Sequence, residues 1–254
     1  MKKLGIVGGL GPASTIDYYR EIIENYRKVK GDDNYPEIVI DSINMGKLVT
    51  EIEANNLNSV ANQLLNSISN LEKAGANFAA IASNSPHIAW DLIKDKTPIP
   101  IISIIDAVCD YIAHQNYYKV LIFATKFTMK NGLYSNALTN RNIDWILPNE
   151  NDIETLGDII YPNLENGIVI KEDKERMIGI AEKYIGQHGA DSILLGCTEI
   201  PLMIKSNDVS VPVINSTEIH IDKISEIIIS DIIWLFFYLI SPIFLISLLI
   251  SRKS

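Results

Sequence analysis

One strand-end signal occurs twice in this chain, 114 residues apart, and the duplication limits the fold more than any other feature. Gly75-Ala76-Asn77 opens a short apolar run that ends on Ser83-Asn84. Gly189-Ala190-Asp191 opens another that ends, after the same eight-residue step, on Cys197-Thr198. Each run follows an amphipathic helix. In the first helix Leu57, Val60, Ala61, Leu64, Leu65, Ile68 and Leu71 trace one face before Gly75 stops it. The second spans about Lys171 to Gln187. The opening segment Lys3 to Val7, followed by Gly8-Gly9-Leu10-Gly11-Pro12, likewise has a counterpart in Lys119 to Ala124 followed by Thr125-Lys126-Phe127-Thr128. The pattern predicts an α/β protein of two pseudo-symmetric lobes, each a mainly parallel sheet flanked by helices. Parallel strands present ligand groups at their carboxyl ends, so the site is expected in the cleft between the lobes.

Further strands are expected at Glu37 to Ile43, Asn77 to Ala82, Ile101-Ile102, Asp144 to Leu147 and Val211 to Asn215, and further helices near Asp152 to Tyr161 and after Ser216, read as the cap of the last one. Thr97-Pro98-Ile99-Pro100 punctuates the chain. These signals assign residues 1–97 and about 210–228 to a first lobe, 98–209 to a second, and 229–254 to an apolar tail. Residues 232–250 carry no charge and as a helix would be about 28 Å long, enough to span a bilayer. Membrane association through 232–250 therefore stands beside a packed appendage divided at Pro242.

The net charge of −9 and pI near 5.0, with no Lys/Arg run longer than two residues, argue against a nucleic-acid partner. Cys109 and Cys197 form neither a disulfide framework nor a CxxC metal spacing, which points to a reducing, cytoplasmic setting. Gly5, Gly8, Gly9 and Gly11 break the apolar run behind Met1-Lys2-Lys3, leaving a first strand in place of a secretion signal.

Cys197 has two readings. A thiol delivered from a buried strand to a helix start is stabilised as thiolate, its pKa lowered from about 8.5; a lone cysteine is also an ordinary small core residue. Cys109, among Ile105, Val108 and Ile112 at helical spacing, reads as core. Gly9-x-Gly11 invites a dinucleotide reading, but Ser14 occupies the position of the third small residue and Asp41 falls too late for the ribose contact. The loop still offers backbone N–H groups beside Ser14 and Thr15 to a carboxylate or phosphate.

The lobes place Ser83 and Cys197 on opposite sides of one cleft, an arrangement suited to inversion at carbon, one group removing a proton and the other returning it from behind. Asn84, Ser85 and Thr198 are candidates to support the carbanion through the substrate carboxylate. Lys47 is either the cation for a substrate side-chain carboxylate or a solvated loop lysine. Thr125 and Thr128 are either carboxylate donors or helix caps. Glu199 either orients Thr198 or caps its helix.

Gly8-Gly9-Leu10-Gly11-Pro12-x-Ser14-Thr15, Asn84-x-Pro86-His87 and Leu195-Gly196-Cys197-Thr198-Glu199-Ile200-Pro201 together resemble the aspartate/glutamate racemase family, and His220 matches its late Ile-His element. The resemblance covers residues 1 to about 228. It implies a cofactor-independent isomerase, without pyridoxal phosphate or metal, commonly a homodimer, acting on a small acidic amino acid, aspartate or glutamate, with Cys197 and Ser83 as the acid/base pair. Ser83 stands where members often carry Cys and some carry Thr, and Asn215 stands where many carry Asp. A serine hydroxyl does not ionise usefully at neutral pH, so a symmetric two-thiol mechanism is excluded. Two alternatives remain: a single-cysteine decarboxylase relative, and a ligand-binding member without catalysis.

Overall fold

The computed structural model describes residues 2–31 and 34–230. The apolar tail, including 232–250, lies outside the described residues. No helix among those described is long and apolar enough to cross a membrane.

The chain forms two four-stranded parallel sheets of the same topology. The first contains β1 (Leu4–Gly8), β2 (Ile38–Ser42), β3 (Phe78–Ile81) and β4 (Ile101–Ile102), in the order β2-β1-β3-β4. The second contains β5 (Lys119–Ala124), β6 (Asp144–Ile146), β7 (Ser192–Gly196) and β8 (Val213–Asn215), in the order β6-β5-β7-β8. Central strands β1, β3 and β7 are buried at every position, as expected of parallel sheets covered on both faces.

The helices follow from caps and periodicity. α1 (Pro12–Lys30) starts with Pro in its first turn and stops at Gly31, whose φ of 66° closes the last turn. In α2 (Met45–Glu53) and α3 (Leu57–Lys73) the side chains of Asn44 and Asn56 accept from Lys47 N and Ser59 N. α4 (Trp90–Ile93), α5 (Ile104–His114), α6 (Lys126–Lys130), α7 (Leu133–Thr139), α8 (Glu150–Ile160) and α9 (Lys171–His188) follow, and α10 covers 216–230. The last helix is capped by Asn215, not Ser216: the Asn215 side chain accepts from Thr217 N and Glu218 N, while Ser216 is fully buried.

The duplicated Asn77 and Asp191 lock equivalent corners. Asn77 N donates to Lys3 O at 2.8 Å while its side chain accepts from Lys3 N; Asp191 N donates to Lys119 O at 3.0 Å while its carboxylate accepts from Lys119 N. Each pairs the start of β3 or β7 with the start of the neighbouring central strand, in the same register that the sheet ladders keep.

The lobe boundaries differ from the sequence expectation. Ile101 and Ile102 pair with Ala79 and Ala80, so residues 98–102 complete the first sheet; Val213–Asn215 pair with β7, so β8 completes the second. The helices after these edge strands are exchanged between lobes. α5 buries Val108, Cys109 and Ile112 in the core of the second lobe, and α10 buries Ile221, Ile224 and Ile228 against Leu4, Ile6, Tyr18 and Ile22 of the first. His220 at the start of α10 donates from Nε2 to Ile102 O and accepts at Nδ1 from Tyr18 Oη, tying the returning chain to β4 and α1. Proline punctuation marked the crossing but not the strand that pairs beyond it.

Candidate active site

The carboxyl ends of β1, β3, β5 and β7 open on a cavity of about 350 Å³. Ser83, Asn84 and Ser85 enter it from the end of β3, Cys197, Thr198 and Glu199 from the end of β7, and Gly11 from the loop after β1. Leu48, Val49 and Ile52 of α2 form an apolar wall, and Tyr161, Glu165 and Asn166 close it from the loop after α8.

Two cross-lobe hydrogen bonds set the floor. Tyr134 Oη of α7 donates to Asn84 Oδ1, and Asn84 Nδ2 donates to Ser216 Oγ at 3.4 Å. Ser85 Oγ meets Thr128 Oγ1 at 3.1 Å, and Thr128 in turn is bonded to the Thr125 hydroxyl at 3.0 Å. Tyr134 reaches this position because residue 196 is Gly: a Cβ there would lie 2.8 Å from its ring. The Gly-rich loop is held from within. Thr15 Oγ1 accepts from Gly9 N and Ser14 Oγ lies within donating distance of Gly11 O and Ala82 O, so both hydroxyls are engaged by the protein.

Cys197 is 4% exposed, and its Sγ donates to Glu199 Oε2 at 3.2 Å; Thr198 Oγ1 donates to Glu199 Oε1 at 2.6 Å. Burial raises the thiol pKa well above its ordinary range, and the Glu199 charge adds to the rise. Backbone N–H groups of Glu199 and Ile200 oppose it. The lowered pKa expected from a helix start is thus reversed. The N–H groups are in place, but at a three-residue turn, Ile200–Leu202, they are outweighed by desolvation and an adjacent carboxylate. Cys109 is fully buried in the core, as expected.

Ser83 is half-buried, and its hydroxyl has no hydrogen-bond partner among the described residues. His87 is turned away from that hydroxyl. Its Nδ1 donates to Ser83 O at 3.1 Å, its ring stacks on Trp90, and burial lowers its pKa to about 4. His87 Nε2 is buried without a partner among the described residues.

The remaining sequence candidates divide. Thr125 lines the cavity and also caps α6, accepting from Thr128 N; Thr128 is buried behind it and does not line the cavity. Lys47 is exposed on α2 and lines neither this cavity nor the adjoining groove, because the helix turns Leu48, Val49 and Ile52 inward. Among the described residues no Lys, Arg or His lines the cavity, and no cluster of His, Cys, Asp and Glu suited to a metal ion occurs. Tyr134, Tyr161 and Glu165 were not singled out from sequence. The Gly196-Cys197 pair, a glycine at a buried strand end, was the available signal for the close approach of Tyr134.

The sequence model of the Asp/Glu/Hydantoin racemase family matches residues 7–224. An aspartate racemase homologue of Pyrococcus horikoshii is 37% identical, with a TM-score of 0.78 over 90% of this chain and 99% of its own. An aspartate racemase of Picrophilus torridus, 24% identical, superposes with a TM-score of 0.70 over 91% of this chain and 94% of its own, a likeness of fold. The broad specificity amino-acid racemase RacX of Bacillus subtilis is 21% identical over 84% of this chain and 92% of its own length.

Proposed function

Because the chain belongs to the Asp/Glu/Hydantoin racemase family, we propose that it interconverts the enantiomers of an α-amino acid by proton transfer at Cα without a cofactor. The observation that carries this reading is the placement of Ser83 and Cys197. They lie at the ends of equivalent strands of two equivalent sheets, on one cavity.

The reaction begins with transfer of the Cys197 proton to Glu199 Oε2, to which the thiol is already hydrogen-bonded. The thiolate removes the Cα proton, and the electron pair is delocalised into the α-carboxylate. Thr125, Ser85 and Thr198 line the cavity wall, and to stabilise that charge their hydroxyls turn to the ligand from the Thr128 and Glu199 partners they hold in the resting site. The opposite face receives a proton from the Ser83 hydroxyl, which is reprotonated by water; the hydroxide so formed takes the proton held on Glu199, which restores the resting site. In the other direction Ser83 must help remove a proton with no basic side chain bonded to it, so the two faces are unequal.

The test follows wash-in of solvent deuterium at Cα from each pure enantiomer by NMR. The enantiomer facing Cys197 exchanges faster than it inverts, Cys197→Ala abolishes both processes, and Ser83→Cys brings the enantiomers closer together. Equal wash-in from both enantiomers of every substrate refutes the unequal roles.

A further inference from the structure

We propose that this site selects an amino acid with a long cationic side chain, in place of the aspartate or glutamate expected from sequence, and that Glu165 pairs with that cation. The proposal rests on the racemase reading for the identity of the site.

An acidic side chain entering the cavity would meet no cation among the described residues of its walls. It would instead face two carboxylates, Glu199 and Glu165. Glu199 is engaged by the Cys197 thiol and the Thr198 hydroxyl. Glu165 is half-buried and has neither a hydrogen bond nor an ion pair among the described residues. Burial, and then the charge of Glu199, raise its pKa, so a cation beside it would relieve both.

The route outward continues the pattern. The cavity adjoins a wider groove of about 900 Å³ that shares Met45, Val49, Ile52 and Glu165 with it and adds Glu53, Glu154 and Asp158. Two cations lie on that groove, Lys126 and Lys130. Both are already paired, Lys126 with Glu154 at 2.5 Å and Lys130 with Glu150 at 2.7 Å. An acidic substrate side chain would compete with these pairs, whereas a basic one meets Glu53 and Asp158, which have no ion pair among the described residues. The cavity that Cys197 and Glu165 both line has Leu10, Leu48, Val49, Ile52 and Ile160 in its walls, which suits a chain of methylenes. The α-carboxylate is left to the hydroxyls at the strand ends.

Titration calorimetry on the wild-type protein with L-lysine, L-norleucine and L-glutamate tests the charge preference without requiring turnover. Norleucine has the lysine chain without its ammonium group. Lysine is expected to bind about tenfold or more tighter than norleucine, and glutamate more weakly than either. In Glu165→Gln the lysine-to-norleucine ratio falls to about one. Glutamate binding as tightly as lysine overturns the proposal. So does a ratio that survives the substitution, which would assign Glu165 to the α-ammonium common to all three. Deuterium wash-in with the same amino acids reports separately on the reaction: lysine-selective binding without exchange removes the racemase reading and leaves the charge preference standing, and absence of all binding overturns both.

Discussion

Replacing Glu199 by Gln separates two roles that its geometry combines. In the resting site the carboxylate accepts the Cys197 proton at 3.2 Å and opposes the thiolate by its charge. Two unit charges at that distance repel by about 5 kcal/mol at an effective dielectric near 20, and by about 1 kcal/mol in water-like surroundings. Glu199 is half-buried, so the loss falls between these limits. Glu199→Gln therefore raises the thiolate population of Cys197 at neutral pH by roughly tenfold to a thousandfold, although burial, the larger cause, still holds the thiol above its ordinary range. Alkylation by iodoacetamide as a function of pH reads this directly, because only thiolate reacts; Cys109 is fully buried, with its pKa pushed up to about 12, and adds little. Racemisation, followed by chiral chromatography, moves the other way. Without a carboxylate to take the thiol proton the rate drops by about 10² to 10⁴. Faster alkylation with slower turnover is the expected result. Faster alkylation with undiminished turnover would refute the proton-acceptor role, and an unmoved alkylation profile would refute the electrostatic argument itself.

Tyr134→Phe leaves Asn84 Oδ1 without its donor in a buried setting, at a cost of about 1–3 kcal/mol; thermal unfolding should fall by about 2–4 °C per kcal/mol, and kcat should fall because Asn84 loses its tether. Gly196→Ala drives a methyl group to 2.8 Å from the same ring, an overpacking cost of about 1–3 kcal/mol, whereas Gly186→Ala, exposed inside α9 with nothing near the added methyl, should stabilise by about 0.5–1 kcal/mol; melting curves of the two variants check the contrast. Acid stability should be controlled by His87 and His220, held neutral by burial with pKa values lowered to about 4 and about 3. Their contribution is fully present above the unfolded value near 6.5 and is lost as pH falls toward 4 and then 3, at about 1.4 kcal/mol per pH unit per histidine. Urea titrations across pH 7 to 4 should show this slope, and His87→Gln should reduce it by one proton.

The fold was legible because its determinants are local and repeated. Gly75 and Gly189 stop helices, with φ values of 88° and 68°, and Asn77 and Asp191 clamp the neighbouring strand two residues later, so the motif carries both the turn and the register. What spacing could not supply was the partner of an edge strand. Ile101-Ile102 and Val213–Asn215 are two and three residues long, too short for a periodicity, and their sheets are decided by which neighbour remains unpaired. Ser83 and Cys197 could be placed on one cavity because strand ends are readable. Of the two readings of Lys47 the exposed one fits its position, because a helix phase decides which side chains face inward, and Leu48, Val49 and Ile52 take the inward places. The rise in the Cys197 pKa was hidden for a related reason: Glu199 is visible two positions on, but only the backbone turn decides whether its carboxylate folds back onto the sulfur.

The duplication also explains where the asymmetry of the site comes from. A repeated strand end guarantees equivalent positions, not equivalent chemistry, because each lobe surrounds its own strand end with different residues. Cys197 sits on a strand next to Gly196, whose missing side chain admits Tyr134, and it carries its own carboxylate at Glu199. At the matching position Ser83 is followed by Asn84, which spends its carbonyl on Tyr134, and by Ser85, which spends its hydroxyl on Thr128. The first lobe thus commits its polar groups to holding the lobes together, and the second commits its own to the thiol. A Ser83→Cys substitution alone would therefore supply a second thiol but not a second proton acceptor. Pairing it with Ser85→Glu, which places a carboxylate two residues on as in the second lobe, is the change that should make the two faces comparable.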